Sequence, residues 1–170
     1  EIEGGVSGNM RIAICDDDAD FTEKMRTLVE DGFAVYGEEP DISAYQDGAA
    51  FCSDEAEYDA VFLDIDMPQV NGFDIAEQMN RKGKVFIIFV TMHDELVYSS
   101  IRFQPFRFIR KSHLTEELPE VLKELHSAVC KRRAGQKFAF RTREGTVFLD
   151  VGSITYIEIY GHWLHVRVED

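Results

Sequence analysis

The sequence is poor in cysteine and proline, with three and four of them among 170 residues. Cys15, Cys52 and Cys130 are odd in number and form no C-x-x-C pair. This argues against a disulfide framework or a zinc site and favours free thiols in a reducing cytoplasm. With so few prolines and 45% hydrophobic residues, the chain is expected to fold around a buried core.

Long apolar runs and basic residues are scarce as well. No run approaches the roughly 20 apolar residues that cross a bilayer, and residues 1–9 have neither the basic region nor the apolar stretch of a signal peptide. We therefore expect a cytoplasmic protein with no membrane partner, and we interpret the glycine-rich residues 1–9 as a cloning remnant ahead of Met10. Eighteen basic against 32 acidic residues give a net charge of −14, which argues against non-specific binding to nucleic acid. Residues 131–170 are the exception, with seven basic and five acidic side chains.

Short apolar runs alternate with amphipathic stretches from residue 11 to residue 133. The runs predict buried strands at 11–15, 41–45, 60–63, 84–90 and 106–109. Helical spacing of apolar residues predicts helices near 21–29, 48–53, 73–81, 93–102 and 118–129. Gly32 and Gly37 are expected to close the first helix, and Pro119 to lie near the start of the last. This alternation predicts an α/β fold, a doubly wound sheet of five parallel strands.

The pattern changes after residue 136. Residues 137–170 contain β-type runs with no helix between them, and glycines at turns, which predicts an antiparallel sheet. These 34 residues are fewer than the roughly 40 that usually fold without staples or partners, so we expect an incomplete second domain. The predicted organisation is therefore a domain at 10–130, a linker at 131–136 and a truncated β domain at 137–170.

Three carboxylates follow two of the predicted strands. Asp16 and Asp17 follow the first strand and Asp64 follows the third. The carboxyl ends of parallel strands form the functional edge of such a sheet. Because these charges would repel one another in a cleft, the site needs a divalent cation or a lysine. Ligands that are all oxygen suit Mg²⁺, and Lys111 follows the fifth strand.

Thr91, at the end of the fourth strand, adds a hydroxyl to this predicted site. Together these groups suit phosphoryl transfer, in which catalysis is mostly positioning and charge neutralisation. Asp64 acting as the nucleophile would give an acyl phosphate. Each residue alone also has a plainer interpretation: residues 16–18 as a solvated loop that caps the next helix, Thr91 as a helix cap and Lys111 as a surface lysine. Their coincidence at successive strand ends favours the site.

The same residues resemble the receiver domain of bacterial two-component response regulators over roughly residues 10–130. The resemblance is carried, in chain order, by Asp16-Asp17, Asp64-Ile-Asp-Met-Pro-Gln-Val-Asn-Gly72, Thr91 and Phe108-Ile-Arg-Lys111. It implies a flavodoxin-like fold and a signalling domain rather than an enzyme, with at most its own phosphorylation and dephosphorylation.

The resemblance also implies a role for each matching residue. Asp64 would accept a phosphoryl group from a histidine kinase. Mg²⁺ would be bound by Asp17, by Asp64, by the backbone carbonyl of Asp66, and by Asp16 through water. Lys111 would pair with the phosphoryl group, Thr91 would turn toward it, and Phe108 would be the switch aromatic residue. Dimerisation through the fourth helix and fifth strand would follow phosphorylation.

The sequence departs from the receiver pattern at two positions. The family usually has a small residue after the switch threonine, whereas this chain has Met92, which we expect to narrow access to Asp64 and to slow exchange with small donors or water. The family often has proline after the lysine, commonly through a cis bond. Here the residue is Ser112, and a cis bond without proline costs about 2.5–4 kcal/mol.

The C-terminal segment resembles the beginning of a LytTR DNA-binding domain. The resemblance covers Lys137-Phe-Ala-Phe-Arg and Val151-Gly-Ser-Ile-Thr-Tyr-Ile-Glu through His162. It implies DNA as a partner, reached by loops between strands, with His162 as a possible DNA contact. A histidine at a surface turn explains His162 equally well.

Two other functions are compatible with the sequence. Asp64-Ile-Asp66 at a strand end also resembles the D-x-D nucleophile of haloacid-dehalogenase-like phosphatases, but it follows the third strand rather than the first, and the chain lacks room for a cap domain. Repeated turnover of p-nitrophenyl phosphate would distinguish such an enzyme. The third possibility is a receiver whose β segment binds another protein instead of DNA.

Overall fold

The computed structural model of the protein describes residues 9–83, 85–93, 95–134, 137–142, 145–150, 154–161 and 163–168. The chain divides into two compact units, residues 1–124 and residues 125–170. The domain limits drawn from the sequence, at 10–130 and 137–170, stay predictions. Among the described residues, no helix is long and apolar enough to cross a membrane.

The first unit contains a five-stranded parallel sheet. Its strands, in chain order, are β1 (Arg11–Cys15), β2 (Asp41–Tyr45), β3 (Ala60–Leu63), β4 (Phe86–Thr91) and β5 (Arg107–Arg110). They lie in the order β2-β1-β3-β4-β5, and every neighbouring pair is parallel. The predicted doubly wound fold is confirmed, and its strand order reverses between β1 and β3, where such sheets place their sites.

Helices alternate with these strands. They are α1 (Ala19–Ala34), α2 (Gly48–Ser53), α3 (Gly72–Lys82), α4 (Leu96–Ser100) and α5 (Leu114–Ala134). The first three begin at Asp18, Asp47 and Asn71, whose side chains accept hydrogen bonds from backbone N–H groups of the first turn. Such caps satisfy N–H groups that have no partner within the helix.

The burial of each strand agrees with its position in the sheet. Every residue of β3 is buried, as are all residues of β1 and β4 except the first of each. The edge strands β2 and β5 keep exposed or half-buried positions. Continuous burial is typical of strands that helices cover on both faces. The apolar run predicted as a buried strand at 84–90 forms β4, which begins at Phe86 and lies between β3 and β5.

The first helix is longer than predicted. Gly32, expected to close it, lies inside α1, which continues to Ala34. A Cβ at Gly32 would lie 2.3 Å from Cδ1 of Leu122, so the glycine allows a close approach between α1 and Leu122 of α5. Gly32 therefore lies at a packing contact and does not end the helix.

Two further helix boundaries differ from the prediction. The helix expected at 93–102 is the short α4 followed by a 3-10 turn at Ile101–Phe103. Within it, the Ser100 hydroxyl donates to the Val97 carbonyl over 2.6 Å, a side-chain bond that competes with the helical pattern. The last helix begins at Leu114, earlier than expected, so Pro119 is its sixth residue. Because proline has no backbone N–H, one backbone hydrogen bond of the helix is missing there.

The second unit contains two antiparallel hairpins. β6 (Lys137–Thr142) pairs with β7 (Gly145–Asp150), and β8 (Ile154–Tyr160) pairs with β9 (Trp163–Val168). In the second hairpin the aliphatic pairs Ile157–Val166 and Ile159–Leu164 share one face, while the intervening pair Glu158–His165 lies on the other. The predicted antiparallel β segment is confirmed. A two-stranded hairpin alone is marginally stable in water.

Candidate functional site

Three aspartates lie together at the carboxyl edge of the sheet. β1 and β3 are adjacent, with Cys15 opposite Leu63, so the residues that follow them, Asp16 and Asp64, become neighbours. The Asp64 N–H donates to the Cys15 carbonyl over 2.9 Å. Carboxylate oxygens of Asp16, Asp17 and Asp64 all lie within 4.8 Å of one another. The structure thus brings together the three carboxylates singled out in the sequence.

The Lys111 ammonium lies between two of these carboxylates. Its Nζ is 2.6 Å from Oδ2 of Asp16 and 2.6 Å from Oδ2 of Asp64, and 4.5 Å from the centre of the Phe21 ring. Burial lowers the pKa of Lys111, but the hydrogen bonds and charges of the two aspartates outweigh burial, so the pKa is raised above its usual value. Lys111 therefore carries a permanent positive charge at neutral pH.

The negative charges are not fully compensated. Asp16 is 2% exposed, and burial raises the pKa of its carboxyl, although the hydrogen bond from Lys111 and the Asp18 N–H, 3.0 Å from Oδ1, oppose the shift. The single ammonium contacts Asp16 and Asp64, and a third carboxyl group, that of Asp17, lies beside them, so carboxyl groups are in excess over cationic groups in this cluster. That excess and a donor set made only of oxygen fit a divalent cation such as Mg²⁺.

The loop after Asp64 folds back against the Asp64 backbone. The Asp66 N–H donates to Oδ1 of Asp64 over 3.3 Å, and the Gly72 N–H donates to the Ile65 carbonyl over 2.9 Å. A Cβ at Gly72 would lie 2.1 Å from the Asp64 carbonyl oxygen, so only glycine fits there. Gln69 has a positive φ of 69° in the tight turn between. The loop therefore fixes the backbone of Asp64 from the side of α3.

Thr91 is the last residue of β4. Thr91 is fully buried, and its Oγ1 accepts the His93 N–H over 3.2 Å. Phe108, in β5, is half-buried and packs against the core. Met92 is 64% exposed. The peptide bond between Lys111 and Ser112 is trans, like every peptide bond among the described residues.

Two expectations are not addressed by this geometry. His162 lies outside the described residues, so its possible DNA contact stays a prediction. The metal-binding role of the Asp66 backbone carbonyl also stays a prediction. The Asp66 side chain points elsewhere, since its Oδ2 lies 3.0 Å from Nε2 of His93.

Sequence reasoning missed several residues around the site. His93 joins the loops after β3 and β4, because its ring contacts Asp66 on one side and Oε1 of Glu95 at 3.1 Å on the other. Phe21 was identified only as an apolar residue of the first helix, yet its ring lies beside the Lys111 ammonium. The available signal was position, since Phe21 comes three residues after the capping Asp18, at the same end of the sheet.

The profile of the response regulator receiver domain matches residues 12–123. The chain belongs to this family, whose members are signalling domains. A positive regulator of alginate biosynthesis from Pseudomonas aeruginosa is 30% identical over 118 residues, covering 68% of this chain and 46% of that protein. The sensory transduction protein LytT of Bacillus subtilis is 28% identical over 121 residues, covering 66% and 50%. The chain thus spans half or less of the length of these relatives.

Solved receiver structures share the fold. The response regulator TrrA of Thermotoga maritima, in complex with Mg²⁺–BeF, is 26% identical, with a TM-score of 0.55 over 68% of this chain and 98% of that chain. The response regulatory domain of MrkE from Klebsiella pneumoniae is 22% identical, with a TM-score of 0.61 over 70% and 97%. The second likeness supports the fold alone.

Proposed function

We propose that this chain is a phosphorylation-controlled response regulator whose receiver domain accepts a phosphoryl group on Asp64 from a histidine kinase. The observation that carries the proposal is the Lys111 ammonium, 2.6 Å from a carboxylate oxygen of Asp64 and 2.6 Å from one of Asp16. A nucleophilic carboxylate beside a permanent positive charge is suited to a step in which negative charge accumulates. A relative solved with Mg²⁺–BeF is consistent with it.

In the proposed step, a carboxylate oxygen of Asp64 forms a bond to phosphorus while the bond between phosphorus and the donor's imidazole nitrogen breaks. The imidazole leaves with the electron pair and takes up a proton, and the product is an acyl phosphate. Lys111 remains in place and pairs with the phosphoryl oxygens. Asp17, Asp64 and the backbone carbonyl of Asp66 would hold Mg²⁺ directly and Asp16 through water, and the ion would supply positive charge to the transferred phosphoryl group.

Thr91 and Phe108 would convert this local change into a change of surface. The Thr91 hydroxyl now accepts the His93 N–H, and a phosphoryl group on Asp64 would offer it a charged acceptor. An inward movement of Thr91 would leave space that Phe108, in the adjacent β5, can fill. The result would be a population shift between two packings that alters the surface of α4 and β5 and favours a homodimer.

For the output we propose DNA binding and regulation of transcription, in the cytoplasm. Residues 137–170 would be the N-terminal part of a LytTR-like domain, and a dimer would bring two such domains to paired DNA sites. The support is the antiparallel β segment together with similarity to a named regulator of alginate biosynthesis and to LytT. Binding of another protein through this segment is the competing outcome.

Intact mass after incubation with acetyl phosphate and Mg²⁺ tests the acceptor. We expect one phosphoryl adduct on the wild type and on Asp31→Asn, an exposed aspartate in α1 that serves as the matched control, and none on Asp64→Asn. An adduct on Asp64→Asn would refute the assignment of Asp64. Repeated release of phosphate from p-nitrophenyl phosphate would instead indicate a phosphatase.

Electrophoretic retardation of promoter fragments by the full-length protein tests the output. Phosphorylation is expected to increase the fraction of DNA bound, and His162→Ala to reduce it. Phosphorylation-dependent capture of a protein without any DNA retardation would refute the DNA-binding output while leaving the receiver mechanism intact.

A further inference from the structure

We propose that Glu117, acting through Arg110, positions Lys111 for phosphoryl transfer, an inference that rests on the proposed function of Asp64. Glu117 lies in the first turn of α5, and its carboxylate makes three hydrogen bonds to the residue directly before Lys111. Oε2 accepts the Arg110 backbone N–H over 2.9 Å, and Oε1 accepts Nε over 2.7 Å and Nη2 over 2.5 Å. Backbone and side chain of Arg110 are therefore both tied to α5.

This bridge adds a polar restraint to β5, which on its inner side pairs with β4, Arg110 lying opposite Thr91. β5 is an edge strand of the sheet, so within the part of the chain that the structure describes no strand binds backbone groups on its outer side. Directly after Arg110 the chain leaves the sheet through a 3-10 turn at Lys111–His113. Ser112 stands where the family often has a proline, and it lacks the ring that would fix the backbone. The Glu117 carboxylate closes the segment 110–117 around Lys111.

Lys111 needs such a restraint because its ammonium is at the end of a long flexible side chain. Holding Nζ at 2.6 Å from two separate carboxylates requires the Lys111 backbone to stay in one place, because fixing a long lysine side chain costs rotamer entropy. A displacement of about 1 Å in a reacting group can cost up to about a hundredfold in rate. A backbone bond at Arg110 acts one residue from the group that it must place.

If Glu117 served only to hold α5 against β5, a second ion pair between these two elements would share that role. Nε of Arg107 lies 2.5 Å from Oε2 of Glu124, which also joins β5 to α5, but the contact lies at the other end of β5. Leu114 and Leu118, 2% and 3% exposed, already anchor the first turns of α5 by apolar burial. Docking of the helix therefore does not depend on Glu117 alone.

The test is the rate of phosphorylation by acetyl phosphate at saturating Mg²⁺, followed by intact mass. We expect Glu117→Ala to react about tenfold more slowly than wild type, and Glu117→Gln, whose amide oxygen still accepts the Arg110 N–H, to react within about threefold of wild type. Glu124→Ala is the matched control and should react at the wild-type rate. Glu117→Ala combined with Lys111→Ala should react no more slowly than Lys111→Ala, because a residue that acts through Lys111 has no effect without it.

Each outcome decides between the explanations. Three results would overturn the inference: a wild-type rate for Glu117→Ala, an equal loss of rate in Glu124→Ala, or a further tenfold loss of rate in the double variant. In each of these cases the phosphoryl adduct on the wild type would leave the proposed function standing. A wild type that accepts no phosphoryl group would overturn both. If circular dichroism shows Glu117→Ala unfolded, Arg110→Ala compared with Arg107→Ala replaces it: a loss confined to Arg110→Ala supports the inference, and equal rates overturn it.

Discussion

Replacing Gly72 by alanine tests how tightly the backbone around Asp64 is packed. Gly72 is the first residue of α3. A Cβ there would lie 2.1 Å from the Asp64 carbonyl oxygen and 2.8 Å from the Ile65 Cα. Both atoms belong to the backbone of the loop that carries Asp64, so no side-chain rotation can relieve the overlap.

Two effects of this substitution oppose each other, and their magnitudes decide the sign. Alanine favours a helix over glycine by about 1 kcal/mol, which alone would stabilise the protein. Overpacking that forces side chains off their rotamers and shifts the backbone costs about 1–3 kcal/mol, and the upper end of this range applies here because both contacted atoms belong to the backbone. We therefore expect Gly72→Ala to lower the free energy of unfolding by about 2 kcal/mol, and to slow phosphorylation because the Asp64 backbone is displaced.

Gly32→Ala is the matched control, since it is also a helical glycine with a close neighbour. There the Cβ would lie 2.3 Å from Cδ1 of Leu122, the end of a flexible side chain, and 3.7 Å from the next atom. Rotation of Leu122 can relieve the contact, so we expect a change within about 1 kcal/mol. Urea unfolding of both variants measures the difference. Gly72→Ala as stable as wild type would refute the close packing of α3 against Asp64.

Three further predictions concern charge, thiols and access. The pKa of Lys111 is raised in the folded state, so the stabilisation that its charge contributes is complete below the usual lysine pKa of 10.5 and is lost as pH rises through the folded-state pKa. The difference in unfolding free energy between wild type and Lys111→Met should therefore be constant near neutral pH and shrink above about pH 10.5. A difference that stays constant at high pH would contradict this. Burial raises the pKa of Cys15 to about 12, so a thiol reagent at about pH 8 should label exposed Cys130 in the native protein and Cys15 only after unfolding. Mass mapping of the labelled peptides measures this, and labelling of Cys15 in the native protein would contradict the prediction. Met92→Ala should shorten the lifetime of the phosphorylated protein, because the exposed Met92 side chain would no longer narrow access for water, and equal lifetimes would contradict that role.

Most of the fold could be predicted from the sequence because the strands differ in kind from their surroundings. The runs that became β1, β3 and β4 are almost wholly apolar, and only a sheet covered on both faces buries such runs completely. The parallel alternation of strands and helices places the residues that follow the strands, Asp16 and Asp64 among them, at one edge of the sheet. The order β2-β1-β3-β4-β5, which makes β1 and β3 neighbours, is one of two common orders and does not follow from the alternation alone. Boundaries were harder to predict where side chains compete with the helix, as Ser100 does at the end of α4.

The site was predictable where a residue's function depends on its position after a strand. Asp64 and Lys111 each follow a strand of the sheet, so their meeting at 2.6 Å could be inferred before the contact was known, whereas the part that Thr91 plays beside them stays a prediction. Phe21 and His93 could not be found in this way, because their importance depends on contacts across the site. A phenylalanine on a helix face is usually core, and only the 4.5 Å distance to the Lys111 ammonium distinguishes this one.

The Glu117 bridge shows how an error of a few residues can hide a polar contact. The helix predicted near residues 118–129 began one residue after Glu117 and therefore did not include it. Once the helix begins at Leu114, Glu117 and Glu124 are seven residues apart, two turns of one face, beside the apolar stripe that contains Leu118. The chain order of the arginines in β5 is the reverse of that of the glutamates they contact: Arg107 pairs with Glu124, and Arg110 pairs with Glu117. Because the helix begins at Leu114, Glu117 lies in its first turn, and from there its carboxylate binds Arg110, the residue before Lys111.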